Sequence, residues 1–547
     1  MKKIRLSAIL LCGITAIAAA AGCKTTQKAS EGTLQILVHS AGYGSSYAVE
    51  LAKAFEAKTG MKYKVTPTTD SGAIESTLGL GAQKNKLDVY FVLGNNVFNQ
   101  IARSKSIVKG IEGPVWADLS DVYNSPLTGY GETGTVKQYF DEYALDAATY
   151  SDDKQYFVSW SQGVQGLIVN ETLWNAQNAK LKAAGQPEMK LPRTTGEMFA
   201  LFTRIAGFKT ADPAYRLAAD IYPLVYGGRN DYLEMAFYSF WPQWEGKAAI
   251  DNFMKGRNAA GTEYTAEIYN TEGRLKAFET IREILTGAGH TDPNNISDDF
   301  TQAQLKFLKS KAFFHYNGDW VETESSKQPG SGVGEVDIAF IKSPLLSGLV
   351  SHPSVAAEFA AIGDKEQALR DTIDYIDGVS GAVCPINESG AAYKYLCEAR
   401  KWNKSECTEY LAVVPAYSAN LAKAKDFLKF MLSKDGQEIM MKATRGITAP
   451  LKVDAGQFDY YQNDASTLVK SKMDLFQNSA FAGKTFNKHP MQYLGGIKTL
   501  LLTNDGNFSF EKKFATEGQT AAAYRQSEYQ YYSSGWKNAM SKAGVSN

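Results

Sequence analysis

The chain has 547 residues, 44% hydrophobic and 12% aromatic, enough to bury several cores and to form at least two lobes. Its 58 basic residues balance 58 acidic ones with no basic block, so nothing points to nucleic acid or an anionic membrane surface as partner. The five cysteines include no C-x-x-C pair, which argues against a redox or zinc role.

A basic start, Met1-Lys2-Lys3-Ile4-Arg5, leads into an apolar run from Leu6 to Ala21 and then Gly22-Cys23. This is the pattern of an export signal, 1–22, and it is too short for a membrane span of about 20 apolar residues. The small-small-Cys ending resembles a bacterial lipoprotein cleavage site, with Cys23 as the lipidated first residue and 23–32 as a polar anchored linker. Removal of the signal takes away Lys2, Lys3 and Arg5 and leaves 55 basic against 58 acidic residues. No later stretch of 18 or more apolar residues follows, so membrane attachment is expected through the lipid alone, outside the cytoplasm.

The body opens on a strand at 34–39, a small-residue loop at 40–46, and a helix with Ala48, Leu51, Ala52 and Phe55 at i, i+3, i+4, i+7 that stops at Gly60. A strand at 62–66, a short helix at 73–80 and the apolar run Asp88 to Leu93 follow. Such a run suits a parallel strand covered on both faces, and the alternation predicts an α/β lobe. The loops 40–46, 67–72 and 94–96 leave the carboxyl ends of these strands, where open sheets collect ligands. Their Gly, Ser, Asp and Asn also suit plain turns. Thr194 to Glu197 reads as a capping box opening a helix that buries Met198, Leu201, Phe202 and Ile205. Residues 215–244 are dense in aromatics, 352–409 read as an inserted surface-rich segment, and an amphipathic helix around Ala424 to Met431 precedes a second helix starting after Ser433. Of the cysteines left after processing, Cys397 and Cys407 are the pair expected to close a small disulfide loop, with Cys384 left over.

Catalytic geometry is hard to find. The five histidines form no H-E-x-x-H motif, so no metal site is expected. Gly378-Val379-Ser380-Gly381-Ala382 lacks the final glycine of a nucleophile elbow, and Gly42-Tyr43-Gly44 is not a dinucleotide fingerprint, so no cofactor is expected. Acid pairs such as Asp298-Asp299 keep an exported glycosidase as the alternative. Aromatic rings beside small polar loops suit a neutral polyhydroxylated ligand, with ring faces for its C–H side and polar groups for its hydroxyls.

Several segments in order resemble the extracellular solute-binding proteins of bacterial ABC importers, the carbohydrate- and maltose-binding group in particular. They are Phe55 to Gly60, Leu87 to Tyr90, Trp116 to Asp121, Lys154 to Val158 with Gly166 to Asn170, Pro192 to Phe199, Lys311 to Trp320, and Ala424 to Gln437 with Gly446 and Pro450. The resemblance implies an α/β, two-lobe periplasmic-binding-protein-like fold of type II. Lobe one is expected at 33–157 with 345–412, and lobe two at 158–344 with 413–547. It implies a non-enzymatic monomer that captures a sugar by hinge closure and delivers it to the importer's membrane subunits. The positions matching ligand-facing places are Tyr43, Ser45, Asp70, Asn95, Asn96, Trp160, Trp241, Trp244, Asp319, Trp320 and Tyr417, with Trp160, Trp244 and Trp320 as stacking platforms. A non-sugar solute on the same fold stays open, although the three cleft loops hold no Arg or Lys that would favour an anion. So does a sensor or adhesion lipoprotein.

Overall fold

The computed structural model describes residues 32–545 except 41, 71, 95–96, 329, 483–488, 490, 492–500 and 505, with the side chains of 98, 99, 102 and 504 also set aside. The expected signal 1–22, Cys23, and the sites Asn95 and Asn96 lie outside the described residues.

The strands are β1 (Thr33–His39), β2 (Lys62–Thr68), β3 (Val89–Leu93), β4 (Val158–Ser159), β5 (Val164–Asn170), β6 (Tyr222–Val225), β7 (Ala312–Gly318), β8 (Ile338–Phe340), β9 (Trp402–Ser405), β10 (Tyr410–Val413) and β11 (Ala480–Ala482). They form two sheets, in the order β2-β1-β3-β10-β4 and β11-β9-β5-β7-β6, with β8 added onto β5. In the first sheet β1 runs parallel to β2 and β3, while β10 is antiparallel to β3 and β4. The near-continuous burial of β3 fits a strand covered on both faces. At the edge, β2 alternates and carries Lys62, Lys64 and Pro67, residues that discourage pairing with another chain. In the second sheet β5 is antiparallel to β7, β8 and β9, and both β5 and β7 are buried throughout.

The first helix, Ser46–Thr59, buries Tyr47, Ala48, Leu51, Ala52 and Phe55 and ends at Gly60, whose φ of 73° makes a left-handed cap. The helices Leu421–Leu432 and Lys434–Thr444 pack against it, with Phe427 5.5 Å from Phe55. Gly436 is required between them, because a Cβ there would sit 2.2 Å from the Phe430 carbonyl oxygen. Helix Thr195–Gly207 starts on Thr194, whose Oγ1 accepts the Glu197 N–H at 3.2 Å. Glu197 Oε2 in turn accepts the N–H of Arg193 at 2.8 Å, one residue earlier than a standard box.

Division by sheet differs from the expected boundaries. Strand β9 lies in the second sheet although it falls in 345–412, and helices Leu421–Leu432 and Lys434–Thr444 lie on the first lobe although they fall in 413–547. The chain recrosses later, so that helix Thr467–Asn478 packs on β8, β11 pairs with β9, and the long helix Ala521–Ala543 packs on helix Glu272–Thr286. The segment 352–409 is tied down rather than loose. Lys342 pairs with Asp377 at 2.9 Å, and Arg193 with Asp374 at 2.6 Å.

The aromatic stretch 215–244 belongs largely to the second core. Arg274 is fully buried there, with its guanidinium carbon 5.0 Å from the ring centroids of Phe237 and Trp241, 5.1 Å from Tyr269 and 5.3 Å from Phe253. Its Nε and Nη2 donate to Glu528 Oε2 at 3.0 and 2.6 Å, which docks the terminal helix. No helix among the described residues is long and apolar enough to cross a membrane.

Candidate functional site

Two chain crossings, 160–163 and 406–409, run side by side between the sheets. Glu406 N–H donates to the Gly163 carbonyl at 2.9 Å, Ser405 Oγ to that of Gln162 at 2.7 Å, and Ser159 Oγ to that of Cys407. Two glycines permit this approach. Gly163 has φ 58° and a Cβ there would meet Glu406 backbone carbon at 2.7 Å, while one on Gly94 would lie 1.8 Å from the Thr408 carbonyl oxygen. Cys407 is fixed inside this buried crossing and Cys397 on helix Ala391–Ala399, and Cys384, Cys397 and Cys407 are all free thiols, which corrects the expected disulfide.

Above the crossings, residues from both lobes meet. Tyr43, on the loop after β1, donates its hydroxyl hydrogen to Asp319 Oδ1 at 2.6 Å, and Asp319 leaves the end of β7. Around Tyr43 lie the rings of Tyr410 at 4.6 Å and Trp160 at 5.7 Å, and Trp160 also meets Tyr47 at 4.4 Å. Trp320 approaches Gly42 from the second lobe, and Lys327 Nζ donates to the Gly42 carbonyl at 2.7 Å. Gly318 lets the Trp320 indole fold back across the strand end, where a Cβ would clash at 2.3 Å. The cluster is buried: Tyr43 and Trp160 are 2% exposed, Asp319 4% and Trp320 7%.

Burial sets the electrostatics. It pushes the Tyr43 hydroxyl well above the usual tyrosine range, with the Asp319 carboxylate adding to the rise. Burial also raises the Asp319 carboxyl, opposed by the Lys472 ammonium and the Tyr43 hydrogen bond. Glu324 is raised by burial and Lys327 lowered by it. Among the described residues no group of histidines, cysteines and acids could hold a metal ion. The arrangement brings together ring faces, one carboxylate and hydroxyls from both lobes.

Of the residues expected at the site, the structure brings together Tyr43, Trp160, Asp319 and Trp320. Ser45, two residues after Tyr43, is the N-cap of helix Ser46–Thr59, half-buried and without a side-chain cap bond. Asp70 is exposed and its Oδ1 accepts the Gly72 N–H at 2.8 Å, closing a turn after β2. Three others lie elsewhere. Trp241 is packed in the core around Arg274. Trp244 packs edge-on against His352, 4.9 Å between ring centroids, with the Lys276 ammonium 5.9 Å from its ring and Gly348 alongside. Tyr417 is at the opposite end of the first sheet, its hydroxyl bonded to the Leu78 carbonyl at 2.6 Å and to Asn85 at 2.9 Å. Its neighbour Asn420 reaches Asp88 and the Thr33 carbonyl at the amino ends of β3 and β1, whereas Tyr43 follows the carboxyl end of β1.

Sequence reasoning missed Tyr410, Glu324, Lys327, Lys472 and Tyr232, which lies beside the Trp320 side chain. The signal for Tyr232 was available, because Gly227-Gly228-Arg229-Asn230-Asp231 is a small polar loop after a strand, like 40–46, 67–72 and 94–96. The tail supports this loop: Thr503 Oγ1 donates to Asp231 Oδ1 at 3.0 Å, and buried Glu511 lies behind it with Oε1 unpartnered. Burial raises the Glu511 carboxyl to about 8. An acid raised on folding binds its proton more tightly in the folded state, so its contribution is neutral below about pH 4.5 and destabilising as pH climbs to about 8. The melting temperature of Glu511→Gln is therefore expected to gain on wild type between pH 5 and pH 8.5. A constant difference in scanning calorimetry would mean that Glu511 does not titrate there.

Residues 50–467 match the family described as bacterial extracellular solute-binding protein. No curated protein matches the sequence. Many solved structures share the fold, among them the following three. The first comes from work on xylan utilization by the thermophilic bacterium Caldanaerobius polysaccharolyticus, with 14% identity over 91% of this chain and 99% of that chain and a TM-score of 0.56. Another is the bacterial solute receptor AcbH, described as exclusively preferring β-D-galactopyranose, with 12% identity over 92% and 99% and a TM-score of 0.56. The third is the maltotriose-binding protein of Thermus thermophilus bound with maltotriose, with 14% identity over 92% and 99% and a TM-score of 0.52. With two sheets joined by paired crossings, a mixed α/β body and a match over most of its length, the chain belongs to the bacterial extracellular solute-binding proteins.

Proposed function

We propose that this protein captures a sugar or oligosaccharide between its lobes and delivers it unaltered to the membrane subunits of an ABC importer. It does so as a monomer outside the cytoplasm, held by a lipid on Cys23. The observation that carries this reading is the aromatic and carboxylate cluster of Tyr43, Trp160, Asp319, Trp320 and Tyr410, assembled from both lobes beside the crossings. Its support from relatives is that AcbH and the Thermus protein bind sugars. The lobes are taken as 33–159 with 410–453 and 164–405 with 467–545, a division supported by strand pairing. A guest touching both halves favours the closed form by its differential contacts alone.

A thermal-shift screen over mono- and oligosaccharides tests the reading, because a ligand that binds only the folded state stabilises it by about 2.7 kcal/mol at a hundred times Kd. One sugar class is expected to raise the melting temperature. Silence across the panel, or turnover of an oligosaccharide, would overturn it. With that sugar, Trp320→Ala is expected to lose roughly 1 kcal/mol or more of affinity in titration calorimetry and Trp320→Phe to recover part of it. Unchanged affinity would remove Trp320 from the site.

A further inference from the structure

Lys472 lies on helix Thr467–Asn478, beyond the residues that match the family. Its side chain is buried, and its charged end is held between the lobes. The Nζ donates to the Gly446 carbonyl, at the end of the first-lobe helix Lys434–Thr444, and stands 3.9 Å from Asp319 Oδ2 in the second lobe. The helix is pinned to the second sheet by Ser471, whose Oγ accepts the Phe340 N–H at 2.9 Å. Asp319 uses its other oxygen to accept the Tyr43 hydroxyl from the first lobe and takes the Val164 N–H on Oδ2 at 3.3 Å. Nearby, Thr323 Oγ1 donates to the Thr444 carbonyl at 2.6 Å, a second link between lobes, and Glu322 is held by Ser466 Oγ at 2.9 Å. A buried pair of this kind is a poor stabiliser, since desolvation offsets the attraction. Burial lowers the Lys472 ammonium and raises the Asp319 carboxyl despite their proximity. The arrangement therefore calls for a purpose other than stability.

We propose that Lys472 is a positioning residue that holds Asp319 as the acceptor for Tyr43 across the cleft, so that the tail beyond 467 forms part of the closing device. The contact works as a latch between lobes: cation from the tail, carboxylate from the end of β7, hydroxyl from the loop after β1. This inference rests on closure between lobes and not on the guest being a sugar. It can fail while the sugar reading stands, and the reverse.

The test is small-angle scattering of the mature chain without added solute, on wild type, Tyr43→Phe, Lys472→Met, Lys472→Gln and the double variant Tyr43→Phe with Lys472→Gln. The amide introduced by Lys472→Gln can still donate to the Gly446 carbonyl but carries no charge, and this variant serves if Lys472→Met fails to fold. The radius of gyration is expected to rise in all three single variants, and the double variant is expected to open no further than Tyr43→Phe, because both changes break one link. Wild-type scattering from Lys472→Gln or from Tyr43→Phe would overturn the latch. Additive opening in the double variant would do the same, since Lys472 would then act by a route that bypasses Asp319 and Tyr43.

Discussion

Glu528→Ala is expected to destabilise the second lobe by about 3–5 kcal/mol, because it strands a buried guanidinium. Arg274 has no exposed surface, and its charge is met by the aromatic faces of Phe237, Trp241, Tyr269, Phe253 and Phe278 and by one carboxylate. Ring faces attract the cation but satisfy none of its N–H donors, so the hydrogen bonds to Glu528 Oε2 carry that task. Loss of the carboxylate should free the helix Ala521–Ala543, which is seen as a fall in the urea midpoint and as earlier proteolysis of the C-terminus. Replacing both partners, as in Arg274→Met with Glu528→Leu, is expected to recover much of the loss, since an apolar pair pays no desolvation. A Glu528→Ala midpoint within about 1 kcal/mol of wild type would show that the rings alone hold the arginine.

Trp160→Ala is expected to lower stability by about 3–5 kcal/mol, the range for deleting a buried large aromatic. The indole fills the space between Tyr47, Tyr410, Tyr43 and Phe91, at 4.4 to 5.9 Å between centroids, and its backbone N–H donates to the Tyr410 carbonyl at 3.2 Å. It is the wall on which the rings of Tyr43, Tyr47 and Tyr410 rest. The sequence reading made it a stacking platform like Trp320. Thermal melting separates the two roles: a large fall in melting temperature marks a wall, whereas an unchanged melting temperature with lost affinity would restore the platform.

Local signals carried much of the fold. Helix Ser46–Thr59 was legible from its apolar spacing and Gly60, β3 from its unbroken apolar run, and helices Leu421–Leu432 and Lys434–Thr444 from periodicity and Ser433. Lobe boundaries were not. Strand β4 has two residues and β9 and β10 are separated by four, so no periodicity marks where the chain changes sheets. The same holds for the site. Tyr43, Asp319 and Trp320 follow strand ends, where position implies exposure to a cleft. Trp241 carries no such mark, because its role depends on Arg274, which follows it by more than thirty residues in sequence. The tail after 467 lies beyond the family match, and its contributions, Lys472, Thr503, Glu511 and Glu528, are visible only in three dimensions.

The most direct measurement is a crystal structure of the mature protein grown with the oligosaccharide that the thermal screen selects. The account predicts an intact saccharide enclosed between the lobes, with a sugar ring on Trp320 and hydroxyls on Tyr43 or Asp319. A saccharide bound on the outer face of one lobe, or found cleaved, would contradict it.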